Sequence, residues 1–264
     1  MRKAAVTGTA PVSGPVAPIR FGVLGPLTVH GGASPVFLPA AKHRMVLGVL
    51  LAHANSVVSS DQLVDEVWSS TPPQTARKTL QGYIWRIRRA VRIPESQLAT
   101  VASGYRLSAS SDTLDSFAFE RLTDAARTAD SCGNRHRAAD LLARALELWR
   151  GPAFDCVPES PALQAEAVRL NEARLHAYEL LITVRLDLGQ CSEVIPELTG
   201  MVSAHPHRET VHRLLMTALY RIGRPLDALN VFARFRHAVA AEFGVDPHTE
   251  TLLLHEKILR GVAV

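Results

Sequence analysis

Between Glu66 and Glu95 the chain has no aspartate or glutamate, yet it places Arg77, Lys78, Arg86, Arg88, Arg89 and Arg92 in that window. Cations spaced like this, without carboxylates to neutralise them, attract and hydrogen-bond the oxygens of a polyanion. Arginine can also grip guanine through two parallel N–H donors, and glutamine can do the same for adenine. Gln81, which stands among these cations, therefore belongs to the same set. Apolar Leu80, Tyr83, Ile84, Ile87 and Val91 are threaded through the window.

At about 100° per residue, Leu80, Ile84, Ile87 and Val91 fall in one narrow sector of a helix, with Tyr83 at its edge. Lys78, Gly82, Trp85 and Arg89 occupy the opposite sector. Gln81, Arg88 and Arg92 flank it on one side, and Thr75 and Arg86 on the other. The spacing predicts a helix from about Thr75 to Ile93, stopped by Pro94, with a dry stripe and a cationic face. Nucleic acid is the usual polyanion for such a face. Gln81, Arg86 and Arg89 are expected nearest base edges, with Arg77, Lys78, Arg88 and Arg92 on phosphates. Lys42, Arg44 and Arg106 are candidates for further backbone contacts. Gly82 costs about 1 kcal/mol against alanine in a helix, and close approach of DNA would account for it. The plainer alternative is a merely solvated charged face. Against it stand the missing acidic partners at i±4 and the order of the flanking elements. Trp85 admits another role, packing under the following hairpin or at a domain contact.

The elements around this helix fall in a recognisable order. Phe21 to Val29, the Gly31-Gly32 turn signal and Val36-Phe37-Leu38 read as a small sheet. Met45, Val46, Val49, Leu50 and Leu51 give a first helical core stripe, ended near Asn55-Ser56. Ser59-x-x-Gln62 is a capping-box pattern opening a second helix with Leu63, Val64, Val67 and Trp68. Thr71-Pro72-Pro73-Gln74 resets the chain before the basic helix, since proline is tolerated in a first helical turn. Thr100-Val101-Ala102 and Tyr105-Arg106-Leu107 around Ser103-Gly104 suggest a hairpin. Sheet, three helices with the third basic, then hairpin is the layout of a winged helix-turn-helix, whose third helix enters the major groove.

Charge divides the chain in the same place. Residues 1–111 carry 12 Lys/Arg against 4 Asp/Glu, and residues 112–264 carry 17 against 21. A generally basic composition would spread over both halves; concentration in one fits phosphate attraction there. The expected domains are a disordered tail over 1–18, a winged-helix DNA-binding domain over 19–111 and an all-helical domain over 112–264. In the last, Gly189 and Gly223 are 34 residues apart, and Leu180, Leu181, Val194 and Leu198 match Leu214, Leu215, Ala228 and Phe232 at that offset. This helix-turn-helix period is that of tetratricopeptide repeats. Gly133 with Ala138 marks an earlier copy, displaced by an irregular connection from Gly151 to Pro161. The fold class is therefore α+β: a winged helix-turn-helix with small sheets, then tetratricopeptide-like helices.

Other chemistry finds little footing. Cys132, Cys156 and Cys191 form no CxxC or Cys/His ligand spacing, which suits a reducing cytoplasm and gives no metal or cofactor site. The longest apolar run, Met45 to Ala54, is too short to span a bilayer. His255-Glu256 lacks the second histidine of a zincin motif. His205-Pro206-His207 reads as a turn, and no GxSxG, GxGxxG or P-loop occurs. No catalytic residue is assigned and a non-enzyme is expected. A second possibility puts function in the helical repeats, as a scaffold for a peptide or effector with the basic domain as a non-specific DNA tether.

These strings together resemble the Streptomyces antibiotic regulatory protein family in its short form. FGVLGPLTV is similar to the family's opening strand pair. VVSSDQLVDEVW and PPQTARKTLQGYIWRIRRAV are similar to the second and third helices of its OmpR-like domain, and SGYRL to the wing. LELWRGPAF, RLNEARLHAYELLI, LLMTALYRIGRPLDALNVF and FGVDPHTETLLLHEKIL are similar to its bacterial transcriptional activation domain. The resemblance implies a cytoplasmic, nucleoid-associated activator of secondary-metabolite biosynthesis genes. It implies binding to tandem direct repeats in promoter DNA, with a second protomer on the DNA, and recruitment of RNA polymerase holoenzyme. It carries DNA contact onto Thr75 to Arg92 and the wing around Gly104 to Arg106. Gly82 and Trp85 depart from the side chains typical of the family, which bears on the bases read.

Overall fold

The structure is a computed structural model describing residues 18–31, 34–69 and 71–263. The tail expected over 1–18, apart from Pro18, lies outside the described residues, as does Gly32 of the expected turn. The chain forms two compact units. The first takes the chain up to Phe117 together with Arg150–Val168, and the second takes Ala118–Trp149 together with the chain from Arg169.

The first unit opens with an antiparallel sheet of β1 (Ile19–Gly22), β2 (Thr28–Gly31) and β3 (Ser34–Pro35). The third strand comes earlier than the Val36-Phe37-Leu38 run suggests. Only the Val36 N–H still reaches the Val29 carbonyl, at 2.8 Å. Phe37 stands exposed, Leu38 turns into the core, and Pro39 has no N–H to prolong a ladder. Helices α1 (Ala41–Ala52), α2 (Ser60–Trp68) and α3 (Ala76–Val91) follow. Their apolar stripes meet in a core that completely buries Val46, Val49, Leu50 and Leu63, with Leu80, Ile84 and Ile87. Ser59 caps α2, its hydroxyl accepting the Gln62 N–H at 3.0 Å. The two prolines lie just ahead of α3, with the Pro73 carbonyl accepting the Ala76 N–H at 2.8 Å. Helix α3 ends at Val91 rather than Ile93, because Arg92 adopts a left-handed conformation (φ 60°). That turn sends Ile93 back into the core.

A second sheet has the order β4-β6-β5, from β4 (Val57–Ser59), β5 (Leu98–Val101) and β6 (Gly104–Leu107). The hairpin falls where expected, but its turn is Ala102-Ser103, one residue earlier than the glycine. Gly104 already pairs with Ser59 and Val101. A Cβ there would lie 2.0 Å from the Val58 carbonyl oxygen, so this glycine permits close strand approach rather than a turn.

The connection after Trp149 is irregular, as expected, yet it is bound into the first unit. The Arg150 N–H donates to the Leu24 carbonyl at 2.8 Å and the Phe154 N–H to the Val23 carbonyl at 2.9 Å. Asp115 accepts the N–H groups of Val23 and Leu24 and pairs with Arg150 at 2.8 Å.

The second unit is built from α4 (Asp115–Ser131, from Ala118), α5 (Arg135–Glu147), α6 (Pro161–Asp187, from Arg169), α7 (Cys191–Ala204), α8 (Glu209–Arg221), α9 (Pro225–Phe243) and α10 (Thr249–Leu259). Gly133, Gly189 and Gly223 all sit in left-handed conformations, with φ of 77°, 80° and 79°. After each glycine the next N–H reaches back five residues: Asn134 to Ala129, Gln190 to Arg185 and Arg224 to Leu219. This is the same helix-closing turn used three times. The residues five beyond each glycine, Ala138, Val194 and Ala228, are completely buried. Of the periodic positions, Val194, Leu198, Leu215, Ala228 and Phe232 join Ile182, Met216, Leu254 and Ile258 in one core, and Leu214 packs against it.

Candidate nucleic-acid interface

Helix α3 lies with its apolar stripe inward, so the opposite residues face outward by geometry alone. Thr75, Lys78, Gln81, Trp85, Arg86, Arg89 and Arg92 are exposed. Among the described residues, no ion pair involves Lys78, Arg86, Arg89 or Arg92. An open cationic strip therefore runs along the helix. Arg89 places its guanidinium 5.2 Å from the centre of the Trp85 ring.

Other members of the expected set are engaged within the fold. Arg88 donates through Nε to the Leu98 carbonyl at 3.1 Å and through Nη2 to the same oxygen and to Thr100 Oγ1. It braces α3 against β5. Arg44 donates to the carbonyls of Leu38 (3.0 Å) and Pro39 (2.8 Å), fixing the approach to α1. Arg77 pairs with Asp61 of α2 at 2.6 Å, but both are well exposed, so the pair is weak in water. Arg106 is exposed on β6, opposite Val57 and Ala99.

Aromatic contacts set the helices relative to one another. Tyr83 of α3 stacks on Trp68 of α2 at 5.8 Å and meets the edge of His43 of α1 at 4.9 Å. Lys42 lies over the Trp68 ring at 4.7 Å, which fixes one more cation. Burial, and then the positive charge of Arg86, hold the His43 imidazole below its ordinary pKa. His43 is therefore a part of this surface that the sequence does not single out. A lone histidine at a helix start carries no pattern that would reveal it.

The comparisons agree with this architecture. The family described as "Transcriptional regulatory protein, C terminal" matches residues 37–107, and that described as "Bacterial transcriptional activator domain" matches residues 114–259. A winged helix joined to that activator domain defines a bacterial transcriptional regulator. The regulatory protein DnrI of Streptomyces peucetius is 34% identical over 92% of this chain and 93% of its own length. The regulatory protein AfsR of Streptomyces coelicolor is 36% identical over 92% of this chain, which spans only 24% of AfsR. Mycobacterium tuberculosis EmbR, solved in complex with a low-affinity phosphopeptide, superposes with a TM-score of 0.90 at 32% identity. That match covers 93% of this chain and 66% of the EmbR chain. This chain belongs to the Streptomyces antibiotic regulatory protein family of transcriptional activators.

Among the described residues no helix is long and apolar enough to cross a membrane. All three cysteines are free thiols, with Cys191 buried.

Proposed function

We propose that this protein is a sequence-specific activator that places α3 in the major groove of promoter direct repeats and recruits RNA polymerase to a secondary-metabolite gene cluster in the cytoplasm. The observation that carries the reading is the open strip of Lys78, Arg86, Arg89 and Arg92, cations with no carboxylate partner among the described residues. Gln81, Trp85, Arg86 and Arg89 face base edges in this reading. Thr75, Arg77, Lys78, Arg92, Lys42 and the wing's Arg106 serve phosphates. Arg44 and Arg88 act as braces that hold those groups in place. A second protomer occupies the adjacent repeat.

Footprinting of the whole chain on the DNA flanking its own gene, at stated salt and with and without polymerase, tests this. Protection of paired repeats and added transcription are the expected results. Arg89→Ala should relax one base position by about 1–3 kcal/mol. Lys42→Ala should weaken all sequences alike and flatten the salt dependence by about one counterion. Equal affinity for every duplex would refute sequence-specific reading.

A second reading has its own support. A groove of about 720 Å³ runs over α7, α8 and α9, lined by Ile195, Val202, Leu215, Val231 and Phe235 with Asn230 and Arg234 at hand. Such a groove suits a partner peptide. Partner capture with no DNA discrimination would favour it.

A further inference from the structure

Trp85 is 57% exposed in the middle of α3, where a large apolar ring gains nothing from water. It does not lie beneath the hairpin, one of the alternatives its sequence position allowed. Its partner is Arg89, one turn on, whose guanidinium lies over the indole. Stacking on an aromatic face limits the guanidinium's freedom while leaving its N–H donors at the rim available. One turn before Trp85, Gly82 leaves a notch: a Cβ built there would meet no heavy atom within 4 Å. The outer face of α3 therefore carries, in sequence, a notch, a protruding apolar ring and an oriented guanidinium.

In the major groove, thymine is the base that offers an apolar group, its 5-methyl, and guanine offers the paired acceptors O6 and N7 that fit arginine. Residues four apart on a helix are separated by about 6 Å along its axis. That matches about two base-pair steps at 3.4 Å each. We infer that Trp85 and Arg89 form one reading unit for a thymine lying within about two base pairs of a guanine. The indole packs on the thymine methyl and positions Arg89 on the guanine, while the Gly82 notch lets the helix seat deeply enough for both. The inference rests on the reading of α3 as the duplex-facing helix.

The test uses the whole chain and a duplex chosen by selection from random sequence. Each thymine is replaced singly by deoxyuridine, which removes only the methyl. One replacement should weaken wild-type binding about fourfold, as loss of one buried methyl-sized group predicts. The same replacement should have no effect on Trp85→Ala. That variant should also lose part of its preference for the neighbouring guanine, and Trp85→Phe should restore some of it. Trp85 is exposed, so an unchanged melting temperature will show that each variant folds. If no deoxyuridine weakens binding, or if one does so equally in wild type and Trp85→Ala, the pairing of indole with methyl is overturned. If selection returns no preferred sequence at all, the reading of α3 as a sequence reader fails with it.

Discussion

At Gly82, stability and recognition pull in opposite directions. A methyl group there meets open space, so Gly82→Ala should stabilise the protein by about 1 kcal/mol through helix propensity. If the duplex approaches α3 as closely as proposed, the same methyl should weaken DNA binding. Thermal melting and a binding titration on one preparation would show a higher melting temperature with lower affinity. An affinity that does not fall would remove the argument from close approach. His212 makes a separate prediction in the second unit. Burial holds its imidazole below the ordinary value of 6.5, partly offset by its bond to the Pro206 carbonyl. With Nδ1 also buried and unpartnered, the ring folds neutral, donating from Nε2. The unfolded chain then takes up the proton first, so stability is lost as pH falls below about 6.5. His43 and His255 are shifted the same way, each chiefly by burial. Melting temperature should drop from pH 7.5 to pH 5.5, and His212→Gln should flatten part of that slope.

At the scale of elements, α3 was legible because its two faces differ so sharply: buried Leu80, Ile84 and Ile87 opposite exposed Lys78, Trp85 and Arg89. The helical repeats were legible through their glycines, since a left-handed helix end favours that residue at each copy. Strand β4 was not. Val57-Val58-Ser59 is too short to show alternation, and its pairing with β6 closes only across 44 or more intervening residues. Gly104 resembles a turn residue in the sequence for a related reason. Its neighbour in space, Val58, is remote in sequence. Gly104→Ala tests this element. It should cost about 1–3 kcal/mol by forcing β4 and β6 apart, measured by denaturant unfolding. Ordinary stability in that variant would show that the wing accommodates the methyl. Which cations brace the fold was also hidden. Arg88 and Arg89 are adjacent and alike in sequence, yet one is bonded to Leu98 and the other is open to the outside.

Across the whole molecule, the most consequential contact for the reader is made by residues outside its own stretch of sequence. Asp115 lies in a desolvated site that raises its pKa. The Val23 and Leu24 N–H groups and the Arg150 charge pull it back. Arg150 also donates to Thr28 Oγ1 at 2.9 Å, and the Ala162 N–H donates to Glu66 of α2 at 3.2 Å. Arg150→Ala should lower the stability of the first unit by about 1–3 kcal/mol, since it strands a partly buried carboxylate. Hydrogen exchange at the Val23 and Leu24 amides would report the loss locally, and protection equal to wild type would show that the two N–H bonds suffice alone. No local pattern announces a salt bridge between residues 35 apart, which is why Gly151 to Pro161 could be foreseen only as an irregular connection.

Because Arg150–Val168 returns to complete the first unit, that unit is discontinuous, interrupted by Ala118–Trp149. A chimera made by joining the chain at residue 111 to another effector would leave the reader without its clasp. Transplanting it intact means carrying both stretches, with a tether between them long enough to stand in for the excised segment.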